Sequence, residues 1–189
     1  MVYCGWIYLH AFLLCRLVEI AVALVSREEF DSLCRTCLSK SPVGSAFSQA
    51  ILKRLLFGIV SVESGFNPFA GRYEKNYKWT VDESFRPPGC SAETELVWQK
   101  TSWGLTQIMG ATARETGFRG WLSELVVPQV NLEVSIRHLS RLGAKLDWVE
   151  KDMISAWNAG FPRLGLDGRY TNQGYVDSVL RAIRDSQTT

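Results

Sequence analysis

Glu63 is the side chain of this sequence best placed to move a proton. Phe47, Ile51, Leu55, Ile59 and Glu63 recur every four residues, with Leu52, Leu56 and Val60 beside them, which is one face of an α-helix. A carboxyl group is thus carried on an apolar stripe, in the last turn before Gly65. Burial disfavours its charged form, and the negative end of the helix dipole disfavours it further, so both raise its pKa. A carboxylic acid that stays protonated near neutral pH is what a general acid requires. Periodicity alone leaves a second reading open, a helix-terminal Glu that turns out to solvent.

Other candidate chemistries are weaker. Cys34 and Cys37 form a C-x-x-C pair, but a structural zinc site takes four ligands. No second pair accompanies it, and the two histidines, His10 and His138, lack ligand spacing. A redox C-x-x-C belongs beside a βαβ pattern, and none is visible. Both cysteines are read as inert thiols, neither metal nor cofactor is expected, and His138 is read as a solvated histidine in a polar helical stretch. The 21 basic and 19 acidic residues leave a net charge of +2. That field is too weak for bulk nucleic-acid binding. Seven Trp in 189 residues supply flat faces that suit sugars and suit a core equally.

The sequence around Glu63 resembles that of a known family. Glu63-Ser64-Gly65-Phe66-Asn67-Pro68 is similar to the E-S-x-x-N-P signature of lytic transglycosylases of the soluble, SLT-domain type. The stretch from Gly104 through Gln107 to Ala113 resembles G-L-M-Q-I-M-P-A-T-A, residues 156–160 resemble A-Y-N-A-G, and Tyr175-Val176 resembles the closing Y-V. Together, in this order, these four blocks form a specific match. Thr106 stands in place of Met, Gly110 in place of Pro, and Trp157 in place of Tyr.

The resemblance implies a mainly α, goose-type-lysozyme-like domain with little or no β structure. It implies cleavage of the MurNAc–GlcNAc β-1,4 linkage in peptidoglycan glycan strands, at the cell wall or in the periplasm. Glu63 would protonate the leaving oxygen and then act as base while the sugar's own 6-hydroxyl attacks the anomeric carbon, leaving a 1,6-anhydro end. The implied substrate-binding residues are Gln107, Gly104, Asn158, Tyr175, Ser102 and Trp157. Gln107 offers an amide to an N-acetyl group or hydroxyl, Gly104 lets backbone approach a sugar, and Asn158 and Tyr175 line the cleft and orient Glu63. A lysozyme-type hydrolase of the same fold and a catalytically silent glycan-binding module are the competing readings.

Five helical stretches must position these residues: 46–64, 105–116, 130–142, 148–158 and 174–185. Gly65, Gly117, Gly143 and Gly160 close the first four, and Asp147 is the expected cap of the fourth. Residues 71–100 are polar and aromatic, contain Pro87-Pro88-Gly89, and read as a long loop or insertion. Both ends of this insertion are anchored at the site, so it is expected to form one lip of a glycan groove. Tyr73, Tyr77, Trp79 and Phe85 would offer faces to sugars, while no block fixes Asp82, Glu83, Glu93 or Glu95. Residues 1–25 carry only Arg16 and Glu19 as charges. They read as an export or membrane-anchoring segment or as an extra amphipathic helix, which places the catalytic domain at 26–189.

Overall fold

The structure is a computed structural model that describes residues 24–188; the readings placed on residues 1–23 lie outside the described part. Ser26 caps helix α1 (Arg27–Ser39), its side chain accepting the Glu29 N–H. Ser45 caps α2 (Ala46–Glu63) in the same way, through the Ser48 N–H. On α2 the apolar row is buried from Ile51 through Leu55 to Ile59, whereas Phe47 at its start is exposed. Val25 is also buried, and its N–H donates to Phe66 O at 3.0 Å, so the folded domain begins before the expected boundary at residue 26.

The main core forms where α1, α5 (Pro128–Lys145), α6 (Glu150–Ala159) and α7 (Gln173–Asp185) pack around α2. Gly58 sets the closest of these approaches. A Cβ there would lie 2.7 Å from Ile183 Cγ1 and 2.9 Å from Val179 Cγ1, so the missing side chain lets α7 lie against α2. Two helix ends differ from expectation. The α5 helix runs past Gly143, which leaves room for the Trp148 ring, and α6 starts two residues late because Asp147 and Trp148 have φ of +50° and +58°.

The expected helix over 105–116 is helical only as α4 (Gly110–Glu115). Ahead of it, the strand Thr101–Trp103 turns through residues 104–107 into the strand Ile108–Met109, and Gly71–Tyr73 pairs with the first of them. Numbered along the chain, these strands form one antiparallel sheet of order β1-β2-β3, with Arg72 opposite Ser102 and Ser102 opposite Met109. The apolar residues 105, 108 and 109 fit the helical period, and polar anchoring of the turn overrides it in favour of the hairpin. Among the described residues the fold is mainly α, seven α-helices and one small sheet, as the resemblance implies.

The insertion is ordered rather than a bare loop. It carries β1, a 3-10 turn at Glu83–Phe85 and α3 (Ala92–Gln99), capped by Ser91. Its anchor is ionic. Arg114 of α4 donates from Nε and Nη2 to the two Glu95 oxygens at 2.7 and 2.9 Å, with both side chains fully buried. Arg114 also donates to the carbonyls of Phe118 and Gly120. Gln99 donates to Glu95 and accepts the Val81 N–H, which satisfies the remaining groups. Burial pushes the Glu95 pKa up, and the Arg114 and Gln99 hydrogen bonds with the Arg114 charge outweigh it, so the carboxylate stays ionised.

The end of α3 also explains Gly110. A Cβ at Gly110 would lie 2.2 Å from Trp98 O and 2.9 Å from Gln99 Cα, both backbone atoms. Gly110→Ala is therefore expected to destabilise the fold by about 1–3 kcal/mol, the usual cost of overpacking. In a thermal melt this lowers Tm by roughly 2–4 °C per kcal/mol. An unchanged Tm would show that the end of α3 yields freely.

Candidate active site

Glu63 ends α2, half-buried, in the wall of a cleft of about 960 Å³. The Tyr175 hydroxyl, in the first turn of α7, donates to Glu63 Oε1 at 2.6 Å. Burial raises the Glu63 pKa, while the Tyr175 hydrogen bond and the Arg72 charge lower it; burial wins, and the net shift is upward. Burial and the neighbouring carboxylate push the Tyr175 phenol up, so it remains a donor. Beyond α2 the chain reverses through Gly65 and Phe66, at φ of +56° and +66°. Phe66 is held edge-on to Phe30 with centroids 5.4 Å apart, and Ser64 Oγ donates to Leu105 O at 2.6 Å, tying the helix end to the next motif. Asn67 Oδ1 accepts the Phe69 N–H.

The turn at 104–107 is locked from behind. Asn131, fully buried on α5, uses its whole amide: Nδ2 donates to Trp103 O and Leu125 O, and Oδ1 accepts from the Thr106 N–H and hydroxyl. The Thr106 hydroxyl lies 2.7 Å from Ser135 Oγ as well. A Met at 106 would leave this buried polar set short of a partner, which accounts for the departure there. Gly104, at φ +65°, has no room for a Cβ, which would lie 2.3 Å from Leu125 O. Packing within the protein is by itself enough to demand glycine at this position. Gln107 is also tied inward. Its Nε2 donates to Ala70 O and Gly104 O, each at 2.9 Å, and its Oε1 accepts from Ser102 Oγ at 2.9 Å. Of the donor and acceptor expected from Gln107, only the second lone pair of Oε1 is left for a ligand.

The insertion supplies one wall of the cleft. Arg72, Glu74, Lys75, Tyr77 and Trp79 line it, and the Tyr77 and Trp79 rings meet edge-on at 5.5 Å. Tyr73 is exposed but is not part of that lining, and Phe85 lies under the Arg119 guanidinium at 4.0 Å. The facing wall carries His138, Trp157, Asn158 and Phe161. Asn158 Oδ1 accepts from Asn172 Nδ2 at 3.0 Å. Trp103 is elsewhere, donating to Trp98 O and packed edge-on against its ring. Two acids share the cleft with Glu63. Glu74 is paired with Arg72 Nε at 2.5 Å, and Glu115 comes from α4. Asp82 and Glu93 are exposed and line no part of it, and Glu95 is sealed in its ion pair.

His138 is the clearest correction at the site. The polar neighbours suggest solvent, but the ring is half-buried against Trp157 in the cleft wall. A signal was available, since Val134 and Leu142, four residues to either side, are both buried. Cys34 and Cys37 are buried on α1; burial first of all pushes their thiols up to about 12 and about 11, so neither is a thiolate at neutral pH. Among the described residues no cluster of three or more His, Cys, Asp or Glu could hold a metal ion.

A family model described as the transglycosylase SLT domain matches residues 45–175, a span that holds Glu63, the 104–107 turn, Trp157 and Tyr175. Comparison with curated proteins and with solved structures gives no match.

Chemistry that needs protonated Glu63 is present below its pKa and is lost as pH rises through it. The alkaline limb of kcat/KM is therefore expected above the ordinary glutamate value of about 4.3. Tyr175→Phe removes a bond that favours the carboxylate, which raises the Glu63 pKa further. The limb should move to higher pH while kcat falls. A limb that stays in place or moves to lower pH would show that the bond does not act on the carboxyl.

Proposed function

The chain belongs to the transglycosylase SLT domain family, and on that premise we propose that it is a peptidoglycan lytic transglycosylase acting in the cell wall or periplasm. One observation carries the reading: a half-buried carboxyl with a raised pKa, held by the Tyr175 hydroxyl, in the wall of a long cleft. Glu63 gives its proton to the glycosidic oxygen as the bond from the MurNAc anomeric carbon breaks. The carboxylate so formed keeps the Tyr175 bond, which favours the charged state. It then accepts the proton of the 6-hydroxyl as O6 bonds to the anomeric carbon. Glu63 returns to its acid form, and the products are a free 4-hydroxyl and a 1,6-anhydro-MurNAc end, with no water consumed. Tyr77 and Trp79 on one wall and Trp157 on the other offer faces to the strand, and Asn158 offers its amide hydrogens.

Hydrolysis is the second reading, and one observation favours it. Glu74 and Glu115 line the same cleft, and two-carboxylate glycosidases need a partner acid there. The pairing of Glu74 with Arg72 weighs against a free base at that position.

Digestion of purified peptidoglycan with product mass spectrometry decides between them. The expected ends are 1,6-anhydro, one water lighter than reducing ends. Glu63→Gln keeps shape and hydrogen bonding and should lower turnover by about 10²–10⁴-fold. Reducing ends from the unaltered chain would establish hydrolysis, and substantial turnover by Glu63→Gln would remove the acid from its role.

A further inference from the structure

Strand β1 and the residue that follows it send Arg72 and Glu74 into the cleft that holds Glu63. Side chains two apart on extended backbone share a face, so Tyr73 between them faces away and lines no part of the cleft. The backbone here is fixed. Arg72 sits opposite Ser102 in the sheet, and the Glu74 N–H donates to Lys100 O at 2.8 Å. The two side chains then fix each other, Arg72 Nε donating to Glu74 Oε1 at 2.5 Å. The guanidinium is therefore a cation whose place in the cleft is set by a carboxylate, which is set in turn by the sheet.

Tyr175 of α7 meets the Glu63 carboxyl with a hydrogen bond, and Arg72 meets it with charge alone; both favour the carboxylate. The other charged groups of the cleft are Glu74 and Lys75 of the insertion, Glu115 of α4 and Arg163 beyond α6. Burial, with the charges of Arg141 and Lys145, takes the pKa of His138 on α5 down to about 4 and leaves that ring neutral at pH 7. Among the charges of the described residues, that of Arg72 is the one that bears on Glu63. Coulomb interaction falls with distance, so the guanidinium lies nearer to Glu63 than its partner Glu74 does. In the proposed reaction Glu63 is a carboxylate between its two proton transfers, and a fixed cation nearby favours that state. A guanidinium in direct contact would favour it more, but would also take the proton from the resting acid. A cation held back by Glu74 serves the second state without losing the first.

We propose that Arg72 is a positioning residue for the reaction and that Glu74 is its clamp: the pair holds a positive charge close enough to steady the Glu63 carboxylate between the two proton transfers and keeps it out of contact with the resting acid. The pair rests on the glycan-cleaving reading of the cleft. It gives Glu74 a task other than that of a second, water-activating carboxylate. It also makes the insertion part of the chemistry, since both residues belong to it.

The test follows the Glu63 carboxyl of the full chain by ¹³C NMR titration at low salt, beside kinetics on purified peptidoglycan. Arg72→Gln should raise the Glu63 midpoint by about 0.2–0.7 pH unit, what an exposed charge is worth. The alkaline limb of the rate should move with it, and kcat should fall by the same factor, about 1.5- to 5-fold, with KM less affected. Arg72→Lys keeps the charge and should restore most of both. Glu74→Gln should move the midpoint the other way, because it removes a negative charge and frees Arg72 to close on Glu63. A further readout needs no variant: added salt screens an exposed cation, so it should raise the midpoint of the unaltered chain. A midpoint unmoved by Arg72→Gln or by salt, or one raised by Glu74→Gln, overturns the pair and leaves the role of Glu63 standing. Substantial turnover by Glu63→Gln overturns the reaction that the pair serves, whatever the midpoints do.

Discussion

The hydrogen bond from Tyr175 to Glu63 joins the C-terminal end of α2 to the N-terminal end of α7, and it balances two opposed demands on one carboxyl. Burial raises the pKa of the group and so favours the protonated form that a general acid needs. In the proposed reaction, delivery of the proton creates a charge in that half-buried place, where an unpartnered carboxylate would be costly. A phenol already in contact with the oxygen meets this charge without rearrangement, and a hydrogen bond to a charged group contributes about 1.5–3 kcal/mol. The balance is geometric before it is electrostatic. It depends on α7 lying close enough to α2, which Gly58 permits by leaving space for Val179 and Ile183.

Around that bond the cleft divides into groups that are spent and groups that are free. The 104–107 turn, Asn131, Thr106, Ser135, Ser102 and Gln107 use their polar atoms on one another or on backbone. They form a rigid floor, and their task is to fix positions. His138, Lys75, Arg163 and the Asn158 amide hydrogens lie along the walls with no hydrogen-bonding or ion-pair partner among the described residues. These are the groups with hydrogen-bonding capacity left for a ligand, because a saturated amide has little to offer. The departures from the family blocks fit the same division. Thr106 serves the floor, Gly110 makes room for α3, and Trp157 is a wall residue.

Apolar periodicity made α2, α5 and α7 legible, because each lays a stripe of Leu, Ile and Val on the core. It could not reveal α3, which is held by the Glu95–Arg114 ion pair and the single Trp98 ring rather than by a periodic apolar stripe. Nor could it place the hairpin at 104–107, where Asn131 reaches from a distant helix to fix the backbone. The position of Glu63 was readable from spacing, while its partner Tyr175 came only from the resemblance, since 112 residues separate them. Gln107 was found, but the contacts that occupy most of its amide exist only in the fold. His138 was missed for the opposite reason: polar neighbours in sequence outweighed the buried residues one turn away.

The central claim is that burial holds the Glu63 pKa above the ordinary glutamate value, the direction a proton donor needs. A ¹³C NMR titration of glutamate side-chain carboxyls tests it most directly, with the Glu63 signal assigned by its loss in Glu63→Gln. The account predicts a Glu63 midpoint above the ordinary value of about 4.3. A midpoint at or below that value would mean that the Tyr175 bond and the Arg72 charge outweigh burial, and Glu63 would then rest as a carboxylate with no proton to give.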